Sequence, residues 1–389
     1  MATLDMDRVW SPDQVELQIA PLIQRGTTLP KTRFLQSFFG DVNTTEDLSI
    51  AMDIEANRRN MVAEWVHPEG VPNEYKLPRS GFREYGFGYI KTMVTNNLSP
   101  NFARRLGELI GKGGDPNRLD EFQEQQMIAL DSRFNRFELT ARDLIFNGTY
   151  TAEGEKHPAI KFDFPKVTAA TSAQYQGNSA IAWSKVDLTT LNHNGGVGKA
   201  VWSDSGNNSG TKIVDVLTDL SIWHKHFRDR HDGWASLIMS SNTFATFENN
   251  IQTVRADAKD LTKYVLAEDR IYAQFQPKLI PFKAVGLMRV VTINGVQVPI
   301  YVYDGVYTDV TTGIETKFVP DGYVIGMPDS SNQVIRYGRI MHYLAQWKAM
   351  PLWVQEYREP RTGAYEQTFH TSIFMGVKNP DAIMVCKVM

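Results

Sequence analysis

The sequence predicts an α+β fold, and three observations carry that reading. Residues 116–147 hold one apolar seam of helical period. An Asn294-Gly295 pair separates two apolar runs in the manner of a tight hairpin. Helix and strand signals come without the regular strand-helix-strand alternation of a parallel sheet.

Size and charge bound the rest. The chain has 389 residues, enough for two or three units with real cores. With 42% hydrophobic and 22% charged residues it has the composition of a folded protein. Lys+Arg number 41 against 44 Asp+Glu, a formal net charge of -3, which argues against a nucleic-acid-coating surface. The single cysteine, Cys386, can form neither an internal disulfide nor a multi-thiolate metal site, and is read as a small buried residue of the last strand. The start, Met1 to Arg8, has no signal-peptide pattern, and no apolar run is long enough to span a bilayer. A soluble protein made in a reducing cytoplasm is expected.

In chain order, residues 1–52 mix isolated apolar residues with Pro12, Pro21 and Pro30 and the cluster Phe34, Phe38, Phe39. They read as an extended arm with one short anchoring segment. Residues 53–95 are punctuated by Pro68, Gly70, Pro72, Pro78, Gly81, Gly86 and Gly88, which exclude a helix. Short alternations there predict a two-stranded ribbon, marginal by itself and in need of a neighbour to pack on. Its aromatic residues Trp65, Tyr75, Phe82, Tyr85, Phe87 and Tyr89 are candidates for contact with a neighbouring subunit. So are Arg104 and Arg105, a small basic cluster with Lys112 that suits an acidic surface on a neighbour.

The 116–147 helix has a capping Asp115, Pro116 in the first turn and a stop at Asn147-Gly148. Met127, Leu130, Phe134, Phe137, Ala141 and Leu144 form its seam. At 1.5 Å per residue it would be about 48 Å long. It suits either a coiled-coil partner or a spine laid across a sheet.

Residues 192–211 are rich in Gly, Ser and Asn and read as a surface loop. Two helices follow. Ile213, Val216, Leu217, Leu220, Trp223 and Phe227 line one face of the first. Phe244, Phe247, Ile251 and Val254 line the second, capped by Ser241 or Asn242. Leu287–Ile293 and Val296–Tyr303 flank the hairpin turn, and the aromatic-rich block Tyr301–Met327 reads as two strands joined by a polar turn. Further strands are expected at Trp353–Tyr357, Tyr365–Val377 and Ile383–Val388.

No catalytic constellation, cofactor site or metal site emerges. Gly195-Gly-Val-Gly-Lys199 imitates a phosphate loop, but His193 stands where its first glycine belongs and Ala200 replaces the magnesium-binding hydroxyl. His224, His226 and His231 crowd near Asp229 and Asp232, yet positions 224 and 226 diverge on a helix, so a solvated charged helix end is the expectation.

The block from Tyr303 to Met327, with Asp304-Gly305, Pro320-Asp321-Gly322 and Gly326, resembles its counterpart in the major capsid proteins of lambda-type tailed phages. The resemblance continues through Asn147-Gly-Thr-Tyr-Thr-Ala-Glu-Gly-Glu155, Ala182-Trp-Ser-Lys185, and Thr362 to Val388 with Asn379-Pro380-Asp381. It implies the Hong Kong 97 phage-capsid fold. In its terms 1–52 is the N-terminal arm, 53–95 the extended E-loop, and 96–211 a peripheral domain with the spine helix and an insertion at 192–211. Residues 212–348 are an axial domain, and 349–389 are strands returning to the peripheral domain.

The implied function is structural, not enzymatic: copies assemble as hexamers and pentamers into the icosahedral head of a virion. That shell encloses packaged double-stranded DNA without sequence-specific binding and without a membrane. Implied partners are other copies of the chain, a portal, either a scaffolding protein separate from this chain or none, and optionally a decoration or cement protein. A nanocompartment shell of the same fold enclosing an enzyme, and a soluble carbohydrate-active enzyme with an aromatic cleft, are the alternatives.

Overall fold

The computed structural model describes residues 34–54, 81–96, 116–154, 157–164, 185–187, 202, 216–231, 233–249, 285–308, 313–328, 332–358 and 365–389. In chain order these form strands β1 (Asp41–Thr44), β2 (Ile50–Ile54), β3 (Gly81–Tyr85) and β4 (Gly88–Asn96), then the long helix α1 (Pro116–Asn147). Strands β5 (Thr149–Gly154), β6 (His157–Asp163) and β7 (Lys185–Asp187) precede helix α2 (Val216–His231), β8 (Ser236–Met239) and helix α3 (Ser241–Asn249). The remainder is strand: β9 (Val285–Ile293), β10 (Val296–Tyr303), β11 (Val306–Thr308), β12 (Glu315–Lys317), β13 (Tyr323–Met327), β14 (Gln333–Tyr337), β15 (Trp353–Arg358), β16 (Tyr365–Val377) and β17 (Met384–Lys387).

Helix α1 buries the seam its spacing defines. Leu130, Phe137, Ala141 and Leu144 are inside, with Ile145 beside them. Its end is a left-handed cap: Gly148 has φ +67° and its N–H reaches the Leu144 carbonyl at 2.9 Å. Arg133 ties the helix to the sheet below, donating from Nη1 to Thr371 Oγ1 at 3.0 Å and lying 4.8 Å from the Phe134 ring.

A five-stranded sheet lies under α1, built on β16. Residues 365–373 of β16 pair with β4 along one side. On the other side residues 365–370 pair with β15 and residues 373–377 with β14, so β14 and β15 lie end to end along the same edge. Strand β1 runs parallel to β14 outside it.

The second sheet has six strands in the order β7-β17-β13-β8-β10-β9. Its hairpin turn is of the twist-matched kind, with Asn294 at φ +49° and Gly295 at +80°. Trp202, Trp223, Phe227, Trp234 and Phe247 pack with α2, α3 and this sheet into a core separate from the one beneath α1.

Three expectations change. The described base of the ribbon is an antiparallel pair that begins at Ile50 rather than at 53 and ends at Tyr85, so β4 is not part of it. Strand β3 pairs with β2, and β4 joins the large sheet over nine residues of β16. Gly86 interrupts the strand between them, and the Ile90/Thr92 face of β4 is drawn into the sheet while Lys91 and Met93 face out. The Tyr301–Met327 block is not two strands. A small β11–β12 hairpin interrupts it, Gly322 turns the chain at φ +81°, and β13 enters the six-stranded sheet between β8 and β17. Strand β8 was not expected at all, because four residues are too few for periodicity to show.

Candidate assembly surface

The root of the arm is fixed by one carboxylate. Glu138 stands on the buried face of α1 with no solvent exposure. Its Oε1 accepts from the Leu35 N–H at 2.7 Å and from the Tyr303 hydroxyl at 2.9 Å; its Oε2 accepts from the Gln36 N–H at 2.9 Å. Burial pushes the Glu138 carboxyl up to about 7, against the pull of these donors. Burial and the adjacent Glu138 raise the Tyr303 phenol. Apolar contacts close the joint: the Phe34 ring lies 5.2 Å from Tyr303 and 5.6 Å from Tyr301. A few residues on, Arg336 grips Asp41 with Nη1 at 3.0 Å and Nη2 at 2.9 Å from the two carboxylate oxygens, which holds the Asp41 carboxyl below its usual range.

The root of the ribbon is equally fixed. Tyr85 is 7% exposed, its ring stacks 5.0 Å from Phe164, and its hydroxyl donates to the Asp163 carbonyl at 2.7 Å. Phe87 fills the space over Gly338, where an added Cβ would come within 2.7 Å of its ring. Tyr89 meets His370 Nδ1 at 2.7 Å. Burial raises the Tyr89 phenol to about 12 and, with Lys91 and His342 adding to it, lowers His370 to about 4, so His370 is neutral.

Tyr85 is therefore corrected as a subunit-contact candidate: its ring is used inside its own chain and has little area left to offer. Phe87 and Tyr89 are half-buried in the same way. Phe82 lies on β3 opposite Asp53. Trp65, Tyr75, Arg104 and Arg105 lie outside the described residues, as do the 192–199 glycine-rich stretch and the phosphate-loop imitation in it.

The exposed apolar side chains lie elsewhere. Between β14 and β15 the chain leaves the sheet, makes a closed excursion over 338–352, and returns beside the same strand. Backbone bonds from Ile340 N–H to the Lys348 carbonyl (3.0 Å), Ala345 N–H to His342 (3.1 Å) and Lys348 N–H to Ala345 (3.1 Å) tie it to itself. Ile340, Ala345 and Met350 pack with Trp353 as its own small core. It holds Gln346 and Trp347 at φ +52° and +58°, and presents Tyr343 (72% exposed), Met341 (53%) and Trp347 (50%) to solvent. The loop thus pairs a small buried core with an exposed aromatic face.

Sequence reasoning missed Glu138 and this loop. Glu138 had a signal: it stands four residues after Phe134 and three before Ala141, inside the apolar stripe of α1. The expectation of a solvated helix end is also overturned at His224, which is buried with its ring 5.5 Å from Trp234; desolvation lowers its pKa. Among the described residues no group of three His, Cys, Asp or Glu side chains is placed to hold a metal. No described helix is long and apolar enough to cross a membrane.

Residues 205–388, just under half of the chain, match the family model for phage major capsid protein E. No curated protein matches. Among solved structures, one described as a prophage capsid protein from E. coli CFT073 superposes with a TM-score of 0.54 at 14% identity, covering 98% of this chain and 100% of that one. A phage-related protein from Bordetella bronchiseptica RB50 gives 0.44 at 10% identity over 95% and 96% of the two chains. The SrpI encapsulin of Synechococcus elongatus PCC 7942 gives 0.39 at 11% identity over 95% of each. Residues 205–388 are thus similar to the phage major capsid protein E family, and the chain has the Hong Kong 97 type of α+β capsid fold.

Proposed function

We propose that this chain is the major structural subunit of a tailed-phage head, closing by self-assembly around double-stranded DNA. The family match over residues 205–388 carries the reading. The geometry supports it: the arm root and the ribbon root are each pinned to a rigid core, and exposed apolar groups sit on a stiff loop. Residues 1–52 act as the arm, and the chain between β2 and β3 as the E-loop that reaches a neighbour. Helix α1 with the five-stranded sheet acts as the peripheral domain and the six-stranded sheet with α2 and α3 as the axial one, which moves β14 out of the axial span expected at 212–348 and β7 and β17 into the axial sheet.

The work is mechanical, and no catalytic step is assigned. At about 25 cal/mol per Å2 of apolar surface, a few hundred Å2 per contact supplies several kcal/mol before association costs. Many such contacts in a closed shell reinforce one another. A net charge of -3 suits DNA driven in by a motor rather than condensed by its coat. Assembly in the host cytoplasm with scaffolding and portal proteins, followed by a place in the virion, completes the reading; a decoration protein is an optional partner. Negative-stain microscopy of the purified chain tests it. Closed icosahedral shells are expected from the chain alone or on co-expression with a scaffolding protein, and a protein that stays monomeric under both conditions would exclude the reading.

A further inference from the structure

We infer that the 338–352 excursion of one copy docks on the 45–49 turn of a second copy of this chain, as a head-to-tail contact between shell subunits. The inference rests on the shell reading and names the surfaces that carry one of its contacts.

Placement comes first. Strands β1 and β14 run parallel, with Thr44 opposite Tyr337, and the Thr45 N–H donates to the Tyr337 carbonyl at 2.9 Å. The turn and the excursion therefore leave the same end of the same sheet, side by side. Two different patches at one corner suit a head-to-tail contact that closes into a ring of copies around a shared axis.

Charge selects the partner. The excursion carries Arg339 and Lys348 and no carboxylate; the turn carries Glu46 and Asp47 and no cation. Glu46, Asp47 and Lys348 are all exposed. Among the described residues no ion pair joins the two patches within one chain. The Nε of Arg339 is buried without a hydrogen-bond partner. Each patch also offers apolar area: Leu48 is 65% exposed on the turn, against Tyr343, Met341 and Trp347 on the excursion. Opposite charge around an apolar centre is how specific protein contacts are built. The loop is held by its own backbone bonds, so little ordering is needed on binding.

The test uses the full-length chain, with mass photometry and negative-stain microscopy across a concentration series. Tyr343→Ser with Trp347→Ser is expected to raise the concentration needed for assembly by about tenfold or more, as for aromatic anchors at an interface. Lys348→Glu and Asp47→Lys are each expected to weaken assembly several-fold, and the two together to restore it, because the charges are exchanged rather than lost. Thermal melting should show all four side chains dispensable for the fold. Assembly of the aromatic variant at wild-type concentrations, or no recovery in the exchanged pair, would overturn the contact while leaving the shell reading in place. A wild-type chain that never assembles, alone or co-expressed with a scaffolding protein, would overturn both.

Discussion

Tyr303 donates its hydroxyl proton to Glu138 across 2.9 Å, although 165 residues separate the two in sequence. The bond joins the long helix to the last residue of β10, and the same carboxylate takes two backbone N–H groups from the arm root. One buried side chain thus holds three parts of the chain together.

Removing it should be costly. Glu138→Ala leaves the Leu35 and Gln36 amides and the Tyr303 hydroxyl buried without an acceptor. Each orphaned donor costs about 1–3 kcal/mol, so a loss of about 3–5 kcal/mol is expected, read as a lower denaturation midpoint with unchanged m-value. Glu138→Gln should lose less, since one carbonyl oxygen remains.

Glu138 also sets a pH dependence. Its carboxyl titrates near 4.5 when solvated and at about 7 in the fold. Between these values the folded chain keeps a proton that the unfolded chain has released. Stability from this group is therefore full below about 4.5, falls as pH rises towards 7, and is level above. His370, lowered from 6.5 to about 4 by burial, acts in the opposite direction over much of this window. The wild-type profile mixes the two. The clean quantity is the gap between wild type and Glu138→Gln, which should narrow by about 3 kcal/mol from pH 5 to pH 8. A constant gap across that range in denaturant titrations would contradict this account.

Tyr85 gives a graded test of the ribbon root. Tyr85→Phe removes only the bond to the Asp163 carbonyl and should cost about 1 kcal/mol. Tyr85→Asp places a charge among Phe162, Phe164 and Phe374 and should give insoluble protein rather than a soluble subunit that fails to assemble. Solubility and circular dichroism of the two variants distinguish these outcomes.

Gly338 and Phe87 should be coupled. A methyl at 338 would press on the Phe87 ring at 2.7 Å, so Gly338→Ala is expected to cost about 1–3 kcal/mol. Phe87→Leu with Gly338→Ala should recover part of that loss. A double-mutant cycle with no interaction energy would show that the backbone yields instead.

Much of the fold was legible because local signals agreed with it. The α1 seam, the Asn147-Gly148 stop, the Asn294-Gly295 turn and the closing strands each carry their own pattern, and the structure has these elements where the patterns lie. What could not be read depends on distant partners. Nothing in β4 reveals that it pairs with a strand nearly three hundred positions later, so the aromatic residues around it looked unsupported. Tyr85 is the plainest case: its stacking partners come from β6, from the residue just after it, and from β16. The 338–352 excursion was hidden for the converse reason. Its apolar residues follow neither a helical nor a strand period, so nothing local says which of them face out.

Because β14 and β15 abut the same neighbour almost end to end, the peptide between them bridges a gap of fixed width. Its length is then a nearly free variable: doubling such a connection adds only about 0.6 kcal/mol of closure entropy. Residues could be added at its exposed tip, near Tyr343 and Trp347, without disturbing register on either flank, provided Ile340, Ala345 and Met350 keep their packing on Trp353. Whatever selectivity it confers could thus diverge between lineages while the scaffold beneath stays as it is.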